Sequence, residues 1–165
     1  MIEPLNIIID SREQRPWSWA KNDAATSVRS LVAGDYALAS DCEEVKGKQM
    51  LAVRFAIERK SLDDFLGTIS TGWDRFQREL IRMESFPARV VIVECDFEQC
   101  CFCSIDGELV APMHNHPALT PSFVARRIAE LTMMGVCVLF AGNADLASGL
   151  AFRIFKRRNE RIMGL

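Results

Sequence analysis

The second half of the chain alternates between helical patterns and short apolar runs, and this alternation restricts the possible folds more than any other feature. Residues 89–94 (Arg-Val-Val-Ile-Val-Glu) form a nearly continuous apolar run that ends in an acid, and residues 136–140 form a second apolar run. Such runs are typical of strands buried on both faces of an α/β sheet. Because helical patterns precede and follow each run, the sequence predicts an α/β domain with a mixed central β-sheet flanked by helices.

Apolar periodicity and capping residues predict the individual elements. Strands are predicted at residues 5–9, 36–39 and 51–58. A charged hairpin loop around Gly47 separates the second strand from the third, and Ser61 and Pro121 mark helix starts. Helices are predicted at residues 61–69, 73–86, 120–135 and from 143 onward. The polar stretch up to residue 26 and most of residues 95–119 are predicted to be irregular.

Length and composition fit one domain. The chain has 165 residues, of which 49% are apolar and 25% are charged, so we expect a single unit over residues 1–165. No apolar run approaches the roughly 18 residues that span a bilayer, and the first residues lack a signal-peptide layout. We therefore expect no membrane partner, and a location in the cytoplasm (nucleoid) of a prokaryote or phage or in the nucleus of a eukaryote. The net charge of −2 gives no overall basic field that would attract nucleic acid. Any nucleic acid must therefore bind on a local patch or through a metal.

Four acids and one lysine stand at predicted strand ends and helix starts, where ligands usually meet a fold. They are Asp10, Asp35, Glu58, Lys60 and Asp64. Carboxylates hold a hard divalent cation through oxygen ligands, and the cation activates water and stabilises charge on a phosphate. Lys60 is suited to orient or activate the water, or to neutralise developing negative charge. These residues predict hydrolysis of a phosphodiester.

Strand alternation separates the three consecutive charges of Glu58, Arg59 and Lys60. The side chains of Glu58 and Lys60 point to one face because the residues are two apart, whereas Arg59 points to the other face. Arg59 is therefore expected to form a structural ion pair. Two acids also have simpler explanations, since Asp64 can complete a helix capping box and Asp10 can begin a turn.

The same residues resemble a known motif. Gly34-Asp35, a spacer and Glu58-Arg59-Lys60-Ser61-Leu62-Asp63-Asp64 match, without substitution, the Gly-Asp … Glu-Arg-Lys-x-x-x-Asp motif of the XPF-type (ERCC4 domain) structure-specific endonuclease family. Ile9-Asp10-Ser11-Arg12-Glu13 is similar to that family's Asp-x-Arg-Glu start. Further similarity covers residues 69–70, 75–80 and 91–94.

The resemblance implies a restriction-endonuclease-like core that cuts branched, flap or junction DNA with Mg²⁺ or Mn²⁺. It implies metal ligation by Asp35 and Glu58, with Asp10 as a third ligand or as support for the acidic cluster. Glu13 would help Arg59 to hold this cluster in place. The catalytic residues expected on this basis are Asp10, Asp35, Glu58, Arg59, Lys60 and Asp64.

Basic residues that we expect to contact DNA phosphates lie near the motif, on the second predicted helix and in the C-terminal tail. They are Arg12, Arg75, Arg78, Arg82, Lys156, Arg157 and Arg158. A solvated helix face is the plainer explanation for the helical arginines. Family members often carry a C-terminal helix-hairpin-helix module, which residues 1–165 lack. Surplus apolar surface on the last two predicted helices and the family resemblance favour a homodimer, and the missing module favours a heterodimer with a DNA-targeting partner.

Two interpretations are open for a cluster of cysteines and histidines, and two for a pair of tryptophans. A zinc site or buried thiols and loop histidines would explain Cys95, Cys100, Cys101, Cys103, His114 and His116. Trp17 and Trp19 would either stack on an unpaired base or pack in the core.

Two other functions stay open beside the structure-specific endonuclease. A catalytically silent DNA-binding or scaffold subunit would keep the surfaces of such a fold without its chemistry. A small repair or restriction-type nuclease would act on other DNA substrates. The intact Asp35, Glu58 and Lys60 argue against a silent subunit.

Overall fold

The computed structural model describes residues 4–22, 24–105, 108–110 and 119–164. The strands are β1 (Leu5–Asp10), β2 (Ala24–Leu31), β3 (Tyr36–Leu38), β4 (Cys42–Glu44), β5 (Met50–Val53), β6 (Ala56–Lys60), β7 (Arg89–Val93), β8 (Cys103–Ile105), β9 (Glu108–Val110) and β10 (Val136–Phe140). The helices are α1 (Leu62–Ile69), α2 (Trp73–Arg82), α3 (Phe97–Cys101), α4 (Pro121–Met133) and α5 (Ala144–Met163), with a 3₁₀ turn at Ala39–Asp41. Eight strands form one mixed sheet in the order β10-β7-β6-β3-β1-β2-β5-β4, and β8 pairs with β9. The predicted α/β class with a mixed central sheet is confirmed.

The direction of β3 brings the predicted site positions to one edge of the sheet. β3 runs antiparallel to both neighbours, and it pairs Tyr36 with Ile9 of β1 and with Ile57 of β6. The residue before Tyr36 therefore lies beside the residues that follow Ile9 and Ile57, which are Asp10 and Glu58. Strands β7 and β10 run parallel to β6, so their C-terminal ends lie at the same edge.

Apolar side chains cover both faces of the sheet. On one face α5 packs through Phe155 against a cluster that includes Trp17 and Trp19, and on the other face α1 and α2 contribute Phe65 and Phe76. Each large apolar side chain stabilises the fold by about 2–3 kcal/mol when it is fully buried. The two tryptophans are only 5% and 1% exposed, so the core-packing interpretation holds for both and neither ring is accessible to a base.

The strand boundaries differ from the prediction in two places. Strand β2 was not predicted: it begins within the stretch that was expected to be irregular up to residue 26 and continues through residues to which no element was assigned. Of its eight residues only Leu31 is buried, and the sequence shows no apolar alternation. The predicted strand 51–58 is two strands, β5 and β6, which pair with different neighbours and are separated by Arg54 and Phe55. The hairpin loop around Gly47 accordingly joins β4 to β5 rather than β3 to the next strand.

The region after β7 contains a short helix that the sequence analysis assigned to irregular structure. Helix α3 begins with a capping box, in which Asp96 accepts a hydrogen bond from the backbone of Gln99 and the Gln99 side chain accepts one from the backbone of Asp96. This Asp-x-x-Gln spacing was a readable signal for a helix start. Within the described part of the chain, no helix has the length and apolar character needed to cross a bilayer.

Candidate active site

Asp35 occupies a fixed position between the two strands that flank β3. Its N–H donates to the carbonyl of Ile57 at 2.9 Å, and its carbonyl accepts from the N–H of Asp10 at 2.8 Å. The Arg59 N–H donates to Asp35 Oδ2 at 2.7 Å, so the side chain is oriented as well. The carboxylate is therefore set by backbone groups, which hold it at the sheet edge.

Gly34 allows the close approach of β3 to β6 immediately before Asp35. Its φ is +75°, a conformation that side chains rarely adopt, and a Cβ at this position would lie 2.4 Å from the Cβ of Ala56. The glycine of the Gly-Asp pair is thus required by space and by backbone conformation. It sets where Asp35 stands relative to Glu58.

Two adjoining cavities open at this edge, with volumes of about 330 and 650 Å³. Both are lined by Asp35 and Lys60 and by the cations Arg12 and Arg75. Glu58 lines the smaller cavity, which therefore contains two of the three carboxylates expected to hold a metal, Asp35 and Glu58. The structure brings Asp35, Glu58 and Lys60 together in one polar cleft.

Lys60 and Glu58 form a partly buried ion pair. Lys60 Nζ lies 2.7 Å from Glu58 Oε1, and each side chain is 12% exposed. Burial on its own would lower the pKa of Lys60, but the charges of Glu58 and Asp35 and the hydrogen bond to Glu58 raise this pKa above its ordinary value. Lys60 is therefore an ammonium ion near neutral pH, which suits stabilisation of negative charge better than removal of a proton from water.

Burial and a neighbouring carboxylate both oppose the charged form of Asp35. Burial and the neighbouring Glu58 raise the pKa of Asp35 to about 8, although the Arg59 N–H and Lys60 act in the opposite direction. A bound divalent cation would oppose both causes by favouring the charged carboxylate. Asp35 and Glu58 also fit the donor set of Mg²⁺, which commonly takes one or two carboxylates and completes its shell with water and phosphate oxygens.

The thermal stability of the protein in a chelator should depend on pH because of the raised pKa of Asp35. The folded-state pKa of Asp35 lies above its unfolded value of about 3.9, so its favourable contribution is present at low pH and is lost as pH rises toward and through about 8. We expect the wild-type melting temperature to fall from pH 6 to pH 9 relative to that of Asp35→Asn. The amide of the variant keeps an oxygen for the Arg59 N–H.

The measurement is thermal unfolding of both proteins in EDTA across this pH range, repeated with Mn²⁺. Mn²⁺ should raise the wild-type melting temperature most at high pH and leave Asp35→Asn nearly unchanged. Parallel pH curves for the two proteins would contradict the assignment.

The Asp10 carboxylate is held by the Arg12 side chain and by the backbone of Leu31. Its Oδ1 accepts from Arg12 Nε at 2.7 Å, and its Oδ2 accepts from Arg12 Nη2 at 3.0 Å and from the N–H of Leu31 at 2.7 Å. Burial would raise the pKa of Asp10, but these hydrogen bonds bring it below its ordinary value. Among the described residues, no three His, Cys, Asp or Glu side chains gather into a metal-binding cluster. Asp10 orients Arg12, and its role as a third metal ligand stays a prediction.

Arg59 has the position expected from strand alternation, on the face opposite Glu58 and Lys60. It binds both oxygens of Glu94, with Nε–Oε1 at 2.7 Å and Nη2–Oε2 at 2.8 Å, and its Nη1 lies 2.9 Å from Glu13 Oε1. Glu94 stands at a predicted strand end, but no role was predicted for it. An acid directly after β7 was a readable signal for a partner of Arg59. Parallel β6 and β7 place Lys60 and Val93 side by side, so Glu94 lies near Arg59.

Asp64 belongs both to a helix cap and to the cleft. The Asp64 N–H donates to Ser61 Oγ at 3.2 Å, and Ser61 Oγ donates to Asp64 Oδ2 at 2.8 Å. The side chain also lines the larger cavity. Capping therefore explains its presence, and its catalytic role stays a prediction.

The cations of α2 and of the first loop form one wall of the cleft. Arg12 and Arg75 line both cavities and Arg82 lines the smaller one, whereas Arg78 is exposed on the same helix. The Arg12 guanidinium is oriented by Asp10 although its side chain is 65% exposed. These side chains are suitably placed for phosphate oxygens near Asp35.

The C-terminal basic residues lie elsewhere. Helix α5 starts after β10 at the site edge, and its 20 residues run for about 30 Å toward the opposite edge. There Arg158 binds both oxygens of the fully buried Asp41, with Nη2–Oδ1 at 2.7 Å. Arg158 thus forms a structural ion pair, and its expected contact with a phosphate stays a prediction. Lys156 and Arg157 are exposed but belong to this remote end.

Three cysteines of the expected cluster are buried, whereas Cys42 is partly buried and Cys137 is exposed. Cys95, Cys100 and Cys101 are 2%, 0% and 4% exposed, and the sulfurs of Cys95 and Cys100 lie 3.2 Å apart. The side chain of Cys103 and both histidines, His114 and His116, lie outside the described residues. The zinc interpretation therefore stays untested.

Comparison with known proteins places this site in a family. A search of curated proteins found no match. XPF from Aeropyrum pernix has a similar structure, with a TM-score of 0.61 and 18% identity over 94% of this chain and 65% of that chain. A second structure of XPF from Aeropyrum pernix, in complex with DNA, has the same score and identity over 96% of this chain and 66% of that one.

The chain thus spans just under two thirds of the length of these structural relatives. The family model described as the ERCC4 domain matches residues 9–151, which include every residue of the cleft described above. This agrees with the motif resemblance found in the sequence. The chain belongs to the ERCC4 domain family.

Proposed function

We propose that this protein is a divalent-metal-dependent DNA endonuclease that hydrolyses phosphodiesters in branched, flap or junction DNA. The observation that carries the proposal is the Asp35–Glu58 carboxylate pair beside Lys60 in a cleft with an arginine wall. The family membership and the structural relative in complex with DNA support it.

Each residue of the cleft would have a separate role in hydrolysis. Asp35 and Glu58 would hold Mg²⁺ or Mn²⁺, which supplies charge stabilisation at the phosphate and an activated water. Lys60, as an ammonium ion, would stabilise the negative charge that develops on the phosphate oxygens. Arg12 and Arg75 would position the DNA backbone over the carboxylates.

The proposal is tested by incubating the intact protein with end-labelled flap, fork, bubble and plain duplex DNA in Mg²⁺, Mn²⁺ or EDTA. We expect cleavage of the branched substrates near their junctions in either metal and none in EDTA. Absence of cleavage on every substrate and in every metal would contradict the enzyme and would favour a silent DNA-binding subunit. Equal cleavage of plain duplex would instead contradict the structural preference.

We also propose that the protein acts as a homodimer. Strand β10 is an edge of the sheet, and its residues Val138, Leu139 and Phe140 are only partly buried. An apolar edge strand favours pairing with another chain. Sedimentation at micromolar concentration should give a dimer mass, and a monomer mass would contradict this part of the proposal.

A further inference from the structure

Trp17 is joined to the candidate metal site through a chain of short contacts. Its Nε1–H donates to Glu94 Oε1 at 2.5 Å, and the same oxygen accepts from Arg59 Nε at 2.7 Å. The backbone N–H of Arg59 in turn donates to Asp35 Oδ2 at 2.7 Å. The indole is therefore three hydrogen bonds away from a candidate metal ligand.

Trp17 also contacts the residue on the other side of Asp35. Its ring stacks on Tyr36, with ring centroids 4.6 Å apart and planes 10° apart. Its backbone N–H donates to the Tyr36 hydroxyl at 3.0 Å. Asp35 thus lies between two groups that Trp17 restrains, namely the ring of the following residue and the peptide of Arg59. Trp17 is 5% exposed, so water does not compete with these contacts.

The acceptor arrangement explains why the indole N–H matters. Glu94 is a carboxylate that is 9% exposed at its side chain and receives two hydrogen bonds from Arg59 and one from Trp17. A nearly buried carboxylate has few orientations in which both oxygens accept hydrogen bonds, and each donor restricts the orientation further. Without the indole donor, Arg59 alone would hold Glu94 among these contacts, so both side chains would be less restrained.

We infer that Trp17 is a positioning residue, which fixes Asp35 for metal binding by orienting Glu94 and, through it, Arg59. This inference rests on the proposed function for its metal-binding consequence. The geometric link between Trp17 and the Arg59 peptide can be measured without any metal.

Trp19 provides a matched control. It is also a buried indole, 1% exposed, whose ring meets Tyr36 edge-on at 5.3 Å. Its Nε1–H donates to the carbonyl of Ser148 on α5 at 2.9 Å, away from the cleft. Trp19→Phe therefore removes the same type of ring and the same type of hydrogen bond without touching Glu94.

The experiment compares Trp17→Phe with Trp19→Phe by two readouts on the intact chain. Hydrogen exchange of the Arg59 amide, followed by NMR, reports the hydrogen bond to Asp35, and a calorimetric titration reports Mn²⁺ affinity. We expect Trp17→Phe to accelerate exchange at Arg59 by about tenfold and to weaken Mn²⁺ binding by about the same factor, since a hydrogen bond to a charged group is lost. Trp19→Phe should change both by about twofold or less.

Equal exchange rates for the Arg59 amide in the two variants would overturn the inference. If the wild type binds no Mn²⁺, the proposed function fails, and the exchange rates alone still decide the positioning role. Glu94→Gln, which keeps the shape and removes the charge, should show the same two changes. It replaces Trp17→Phe in both comparisons if that variant does not fold.

Discussion

Glu58→Gln should lower the rate of DNA cleavage by about a thousandfold. The amide keeps the size of the side chain but removes the charge that holds Lys60 at 2.7 Å and that, in the proposed mechanism, binds the metal. Single-turnover cleavage of a labelled forked duplex at saturating protein measures the effect. Saturation separates a loss of chemistry from a loss of DNA affinity.

Glu79→Gln is the control for this change. Glu79 lines the same cavity as Glu58, but its carboxylate makes its ion pair with Arg75, at 3.6 Å, and not with Lys60. We expect a change of about threefold or less in the same assay. Similar losses in the two variants would mean that the charge of the cleft, rather than the position of Glu58, controls the rate.

Gly34→Ala should destabilise the fold by about 2–5 kcal/mol. A left-handed conformation costs an alanine about 1–2 kcal/mol, and overpacking against a buried neighbour costs about 1–3 kcal/mol more. The neighbour is Ala56, whose Cβ would lie 2.4 Å from the new Cβ and which has no solvent-exposed surface. Urea unfolding at fixed pH gives the free energy of unfolding for each variant.

Two further variants separate the causes. Gly47 has φ +76°, almost the same as Gly34, but a Cβ there would meet no atom within 4 Å. Gly47→Ala should therefore lose only the conformational part, about 1–2 kcal/mol. Adding Ala56→Gly to Gly34→Ala should restore part of the stability, because it removes the other half of the clash. Equal losses at the two glycines would contradict the packing explanation.

Local patterns were sufficient to predict the central residues of the cleft. Acids at strand ends pointed to Asp35 and Glu58, and a period of two placed Lys60 on the side of Glu58 and Arg59 on the other. These inferences need only the direction of a strand and the place where it ends. The convergence of the acids depends on β3 running antiparallel to both β1 and β6, which local pattern does not determine.

The parts that could not be predicted depend on partners far apart in sequence. Trp17 and Glu94 are 77 residues apart, and Arg158 and Asp41 are 117 apart. Charge alone made Arg158 look like a phosphate contact, and only the fold shows that a buried aspartate uses it. Strand β2 escaped prediction for a different reason: backbone pairing with β1 holds it, while most of its side chains face solvent.

The most direct test of the central claim is the single-turnover rate of forked-duplex cleavage across a range of Mn²⁺ concentrations, for wild type beside Asp35→Asn. We predict a rate that rises with Mn²⁺ and saturates for the wild type, and a rate about a thousandfold lower for the variant at every concentration. Asp35→Asn keeps an acceptor for the Arg59 N–H, so the fold around the site should persist. Equal rates in the two proteins, or a wild-type rate independent of Mn²⁺, would contradict the assignment of Asp35 and Glu58 as the metal-binding pair of a nuclease.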